Sequence, residues 1–310
     1  MARTLSSLLW LLSSSVLAGE LHVFTSDAGG FDTHSVWYDD GHEVTVIDTQ
    51  FTPAYARQLV ESIRAATKSP ITRVIVTHPN PDKFNALSVF HALGAVSVAS
   101  KKTAEAMPGV DAYKRHFWTK VARAFTDETY PKVEPVTQTF EGQLVVRLKS
   151  NETLTLIELP EPGVSSSQTV VRVDKTGDLL VGDLVAHRAH AWLEGGIVHG
   201  QPRPTLDGWR RDLKVLPTLG KGTLYGGRGA FGPVGEVVAA QLAYLDTAER
   251  LVTRLVATRT AAELADPERA KALHLEIQKA LVKVFPQHAH PDLVGFGVYG
   301  LVMSKKPRAR

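Results

Sequence analysis

The chain has 310 residues, enough to bury one large hydrophobic core or two modest ones. An apolar content of 44% and a charged content of 22% are those of a soluble globular protein and exclude a disordered or fibrous chain. The net charge of +3, with no Lys/Arg-dense run interleaved with aromatics, speaks against a nucleic-acid partner; the absence of cysteine excludes disulfides, catalytic thiolates and thiolate metal sites.

In chain order, residues 1–18 read as an export signal. Arg3 gives a positive start, Leu5 to Leu17 supply an apolar stretch, and Val16-Leu17-Ala18 ends in small residues before Gly19. The stretch is too short to span a bilayer, so an exported (periplasmic or secreted) mature chain without a membrane span is expected. Leu21 to Thr25, Ser35 to Tyr38 and Val44 to Ile47 read as short strands between Gly/Asp turns. Ala54 to Thr67 reads as a helix with Leu59, Val60, Ile63 and Ala66 on one face. Thr72 to Leu93 then gives a buried strand (Val74, Ile75, Val76), a polar loop (Thr77 to Lys83) and an amphipathic helix, the arrangement that places side chains at a strand's carboxyl end. A strand at Ala95 to Ala99 and a helical region from Thr103 to about Phe125 follow.

The second half repeats the succession. Alternating Val136, Phe140, Leu144, Val146 and then Leu154, Leu156, Ile157 predict strands, continued by Gln168 to Val173 and Asp178 to Val181 around a Lys175-Thr176-Gly177 turn. Leu206 to Leu216 reads as a helix, Thr223 to Tyr225 as a strand, and Val234 to Ala257 and Pro267 to Val284 as long helices.

The loop Thr77-His78-Pro79-Asn80-Pro81-Asp82-Lys83 resembles the T-H-x-H-x-D-H signature of the metallo-β-lactamase superfamily, with Asn80 and Lys83 where two histidines stand. Val46-Ile47-Asp48-Thr49 is similar to that family's early I-D-T motif. The resemblance implies an α/β fold, a four-layer αββα sandwich, here with a helical C-terminal extension. The expected organisation is an export signal at 1–18, a metallo-β-lactamase-like domain at 19–258 and helices 259–310 packed on the same domain. It further implies that Asp48 supports the metal loop; capping of the helix that starts at Pro53 suits Asp48 equally well.

The family binds two metals, usually zinc, at seven positions. On this chain they fall on His78, Asn80, Asp82, Lys83, Val164 (in Pro162-Gly163-Val164), Asp183 (in Gly182-Asp183) and Arg228 (in Gly227-Arg228-Gly229). The residual ligand positions are therefore His78, Asp82 and Asp183. Val164 offers no donor, the Asn80 amide is weak, and Lys83 and Arg228 repel a dication. The expectation is no metal cofactor and a salt-bridged pseudo-site, with Asp82 and Asp183 paired to Lys83 and Arg228. His187 and His190, three apart, share a face if helical, while His190-Ala191-Trp192-Leu193 is similar to a pocket-lining stretch of related enzymes.

Two functions follow. One is a metal-free relative binding an anionic or carbonyl-rich small molecule through His78, Asn80, Lys83, Arg188, His190, Trp192 and Arg228. The other is a hydrolase, lyase or cyclase using Lys83, Asp82 and Asp183, with Lys83 as general base or one weakly held zinc on the residual ligands.

Overall fold

The computed structural model describes residues 19–203 and 205–306, so the proposed export signal and the last four residues of the basic tail lie outside it. The first half runs β1 (Glu20–Thr25), β2 (His34–Asp39), β3 (Val44–Ile47), α1 (Pro53–Ala66), β4 (Ile71–Ile75), α2 (Pro81–Phe84), α3 (Leu87–His91), β5 (Val96–Ser100), α4 (Lys101–His116) and β6 (Gln138–Phe140). The second runs β7 (Gln143–Arg147), β8 (Thr153–Glu158), β9 (Thr169–Val173), β10 (Asp178–His187), β11 (Gly196–Val198), β12 (Gln201–Arg203), α5 (Leu206–Leu219), β13 (Thr223–Gly229), β14 (Gly232–Pro233) and α6 (Val234–Ala257). Four further helices complete the described chain: α7 (Ala261–Ala265), α8 (Pro267–Val284), α9 (Asp292–Gly297) and α10 (Tyr299–Ser304).

Two six-stranded sheets, ordered β1-β2-β3-β4-β5-β6 and β14-β13-β10-β9-β8-β7, face one another. Val36, Ile47, Ile75 and Val98 of the first meet Leu154, Leu156, Val171 and Leu180 of the second in a shared apolar layer. The alternating strands place these residues on the inner faces. The outer face of the first sheet is covered by α1, α3 and α4 through Leu59, Ile63, Phe90 and Val110. The second is covered by α5, α6 and the C-terminal helices through Leu213, Leu245, Ile277 and Leu301, whose burial contributes about 1.5–3 kcal/mol per large aliphatic side chain. The result is the expected four-layer αββα sandwich, with the C-terminal helices sharing the core of the second sheet.

Several elements differ from the sequence reading for identifiable reasons. The helix expected after the polar loop is broken into α2 and α3, because the Ala86 N–H turns to the Thr49 hydroxyl (3.2 Å) instead of a helical carbonyl. The helix expected to reach Phe125 ends at His116 and continues as a wider π turn over Phe117–Val121, closed by Ala122 N–H to Phe117 C=O. β10 and β13 run on past Val181 and Tyr225, because they pair in parallel as far as His187 and Gly229, with register shifts around Asp183. Arg228 therefore sits on a strand, not in a loop. The β11–β12 hairpin has no counterpart in the sequence reading.

The C-terminal helices press on the segment after β10. A Cβ on Gly300 would lie 1.7 Å from the Glu194 carbonyl oxygen, and one on Gly297 2.9 Å from the Trp192 ring. Only glycine permits this approach. Gly300→Ala is expected to destabilise the fold by roughly 1–3 kcal/mol, read as a lower midpoint in chemical denaturation.

Asp212, buried on α5, accepts one hydrogen bond from the Glu161 N–H (3.3 Å), while its Oδ2 has no partner. Burial, reinforced by the Glu161 charge, pushes its carboxyl up to about 7. A raised carboxyl favours the folded state below the unfolded value near 4, and that contribution is lost as pH rises through about 7. Asp212→Asn should therefore flatten the fall in stability between pH 5 and pH 8, gaining on the order of 2 kcal/mol over the parent at pH 8. A constant difference across that range would contradict this.

Candidate functional site

The site is built where β3 and β4, paired in parallel at Ile47 and Ile75, release their chains at one end of the first sheet. Asp48, fully buried with φ 66°, follows β3 and accepts hydrogen bonds from the Thr77 N–H and hydroxyl, each at 2.9 Å. It thus holds the loop after β4. It does not cap α1, whose first turn is closed by the Thr52 hydroxyl accepting from the Tyr55 N–H. Burial pushes the Asp48 carboxyl up to about 6, against the opposing pull of Lys83 and His78. The Thr77 hydroxyl donates to Asp48, and His78 Nδ1 lies 2.9 Å from the same oxygen. Nε2 makes no hydrogen bond and lies 3.7 Å from Asp183 Oδ2.

Beside His78, two carboxylates and two cations form a closed quartet. Lys83 Nζ lies 2.9 Å from Asp82 Oδ2 and 2.8 Å from Asp183 Oδ1. Arg228 bridges the same two acids, with Nη2 donating to Asp82 Oδ2 (2.8 Å) and Nη1 to Asp183 Oδ2 (2.5 Å). The rest of the guanidinium is also engaged: Nε donates to the Phe31 carbonyl (2.8 Å), and Nη2 to the Thr33 hydroxyl (2.9 Å). Asp183 reaches the centre because the next strand carries glycine there; a Cβ on Gly227 would fall 1.8 Å from Asp183 Oδ1.

All four groups are buried. Burial raises the two carboxyls, but the neighbouring charges outweigh it: Arg228 and Lys83 hold Asp183 well below the usual carboxylate range, and Lys83 and Arg228 hold Asp82 below it. Burial alone would loosen the Lys83 proton, yet Asp183 and Asp82 reverse the effect and raise its pKa. Lys83 therefore keeps its proton and is unsuited to the general-base role that the sequence left open.

Asp82, Asp183 and Arg228 of the quartet form one side of a solvent-open cleft with a free volume of about 40 Å3. Its walls are aromatic: Phe31, Phe51, Trp118 and Trp192. Phe31, Phe51 and Trp118 touch one another, with ring centroids 5.0–5.8 Å apart. Asn80, Pro81 and Lys114 complete the lining with Asp82, Asp183 and Arg228. Lys114 is nearly buried; it pairs with Glu194 and lies 4.9 Å above the Trp192 ring. No helix among the described residues is long and apolar enough to cross a membrane.

Comparison with known proteins places this geometry. A family profile described as "Metallo-beta-lactamase superfamily" matches residues 28–228. The chain belongs to the metallo-β-lactamase superfamily. Solved structures agree on the fold. A metallo-β-lactamase from Pontibacter korlensis is 17% identical, with a TM-score of 0.57 over 74% of this chain and 95% of that one. TMB-1 is 19% identical (TM-score 0.53; 74% and 94% covered), and the DIM-1 metallo-β-lactamase 17% identical (TM-score 0.54; 75% and 94% covered). The match stops at residue 228, so α6 to α10 lie beyond the superfamily's profile.

Set on the superfamily's frame, the seven expected positions divide. His78, Asp82, Lys83, Asp183 and Arg228 converge, and Asn80 lines the cavity beside them. Val164 does not line it; the side chain is fully buried in the apolar cluster that contains Leu184 and Trp209. Among the described residues, no three His, Cys, Asp or Glu side chains are grouped so as to hold a metal ion.

Two expected ligand-binding residues fall elsewhere. Arg188 follows the end of β10 with φ 56°, points to solvent and lies 3.9 Å from Glu236. His190 is fully buried behind the wall, its Nδ1 3.0 Å from the Tyr244 hydroxyl. Burial, with His288 and His290 nearby, pushes His190 down to about 4. The stretch from His187 to His190 turns at the left-handed Arg188 and is not helical, so no helical face joins the two. Trp192 does form the wall. Thr33, Phe31, Phe51, Lys114 and Trp118 were not seen in the sequence, because each reaches the site from a distant element without a motif; nor was Glu194, two residues beyond Trp192.

Proposed function

We propose that this chain is a metallo-β-lactamase-fold protein whose metal pair is replaced by the Asp82–Lys83–Asp183–Arg228 quartet, and that it binds a small molecule instead of hydrolysing one with metal-activated water. The observation that carries this reading is the bridging of both residual carboxylates by Arg228 and Lys83. The donor set does not fit a metal pair: two imidazoles are replaced by cations, one by an amide and one by a buried valine. A dication would have to displace two positive charges that already satisfy both carboxylates.

Lys83 and Arg228 direct most of their donors to Asp82, Asp183, Thr33 and Phe31, so they are poor anion receptors despite their charge. Export is proposed with this function on the pattern of residues 1–18 alone. The mass of the chain recovered from the cell exterior, shorter by that segment, tests it.

A second reading keeps one specific observation. Nε2 of His78, which makes no hydrogen bond and faces Asp183, is the imidazole nitrogen that a residual single-metal hydrolase would use. One experiment separates the two: protein purified without chelator, then titrated with zinc. The quartet reading expects no high-affinity uptake and no change in the His78 resonances; tight binding of one equivalent favours the second.

A further inference from the structure

We infer that the ligand of this cavity is a neutral molecule with a flat ring and a carbonyl group, read by Asn80, Lys114 and Trp192 and not by the quartet. The inference rests on the metal-free reading above and adds to it the class of ligand. Its basis is charge balance. Around the cavity, Lys83, Arg228 and Lys114 stand against Asp82, Asp183 and Glu194, each cation within contact of an acid. A charged ligand entering this space would bury an unbalanced charge, which costs more than its contacts return.

The groups left to speak to a ligand are neutral or only partly engaged. The Asn80 side chain makes no capping bond to α2 and lines the cavity, offering two N–H donors and a carbonyl. Lys114 lines the cavity and shares its ammonium with Glu194, a pair that uses one of its three N–H donors. Trp192 and Trp118 supply flat apolar surface to the lining. The carbonyl of a planar ligand would accept from Asn80 or Lys114 while its ring lay against the Trp192 and Trp118 indoles.

This wall is held from behind. Glu194 accepts hydrogen bonds from Trp192 Nε1 (2.9 Å) and the Tyr113 hydroxyl (3.2 Å) as well as from Lys114. The C-terminal helices fix its backbone, with Gly300 against the Glu194 carbonyl and the Leu301 N–H donating to the Leu193 carbonyl (3.2 Å). Glu194 is thus a positioning residue, and its segment is held by α9 and α10, beyond the superfamily's matched region.

Benzamide, benzoate and benzylammonium share one ring and differ in charge, so they serve as probes. Benzamide is expected to bind at least tenfold tighter than either ion and to shift the indole N–H resonances of Trp118 and Trp192. Asn80→Leu, with Asn80→Ala in reserve should it fail to fold, is expected to weaken benzamide about tenfold, a change of about 1.4 kcal/mol. Benzoate or benzylammonium binding as tightly as benzamide would overturn the inference, as would no shift with any probe at about 20 mM. Zinc content of the same sample is read separately: stoichiometric zinc overturns the metal-free reading, and zinc-free protein without the benzamide preference overturns this inference alone.

Discussion

Arg228→Ala should be the most damaging single substitution at the site, lowering stability by roughly 3–5 kcal/mol and the melting temperature by about 10 °C. The variant loses both ion pairs of the guanidinium and leaves the Phe31 carbonyl and the Thr33 hydroxyl without their donor. Most of the cost comes from what remains. Asp82 and Asp183 would be buried with Lys83 as their only close cation, and a carboxylate stripped of its partner in a dry interior is expensive. The dependence on pH has a definite sign. Both acids are held below their ordinary values in the parent, so their stabilising contribution is present above the unfolded value near 4 and disappears as pH falls through the lower folded values. The gap between parent and variant should therefore be full at pH 7 and shrink in strong acid. A companion variant, Asp82→Leu with Arg228→Leu, removes charge of both signs and should be less damaging than Arg228→Ala alone. If it is more damaging, the quartet contributes through shape and not through charge pairing.

The second large effect is gain of metal. Asn80→His, Lys83→His and Arg228→His together should convert the quartet into a zinc site, because they replace both cations by imidazoles while retaining Asp82, Asp183 and His78. Val164 is left out, since it is buried among apolar side chains and a histidine there would disrupt the core. The triple variant is expected to hold about one equivalent of zinc and to gain several kcal/mol of thermal stability on loading. Lys83→His and Arg228→His are the two that matter most, because they remove the repulsion as well as adding donors. A folded triple variant that takes up no zinc would mean that these side chains do not share a metal-sized space.

Much of this was legible in the chain. The run from Val74 to Asp82 announces a strand-loop site, because three buried aliphatics followed by a Pro-rich polar loop admit few other readings. The pairing of Lys83 and Arg228 with the two acids followed from charge compensation, though Arg228 proved to be on a strand. Periodicity ends Thr223 to Tyr225 early, because Gly226 to Gly229 carries no apolar alternation. Pairing with β10 extends the strand regardless.

Residues defined by backbone direction were not legible. Arg188 stands five residues after Asp183, yet its left-handed conformation turns it to solvent. Phe31, itself at φ 64°, reaches the cavity from a short loop before β2. Trp118 does so from a π turn whose extra residue per turn rotates the helix face, and no heptad-like count over α4 anticipates that shift. The segment that carries Trp192 is held by helices that the superfamily profile does not include. The fold alone accordingly says little about what this pocket holds.

We propose that protonated side chains occupy the space that dications fill in catalytic members of the superfamily. Elemental analysis of the parent protein, produced in zinc-supplemented medium and purified without chelator, tests it most directly. The quartet predicts well under about 0.1 equivalent of any transition metal per chain. One or more tightly held equivalents, released only by a strong chelator, would contradict it.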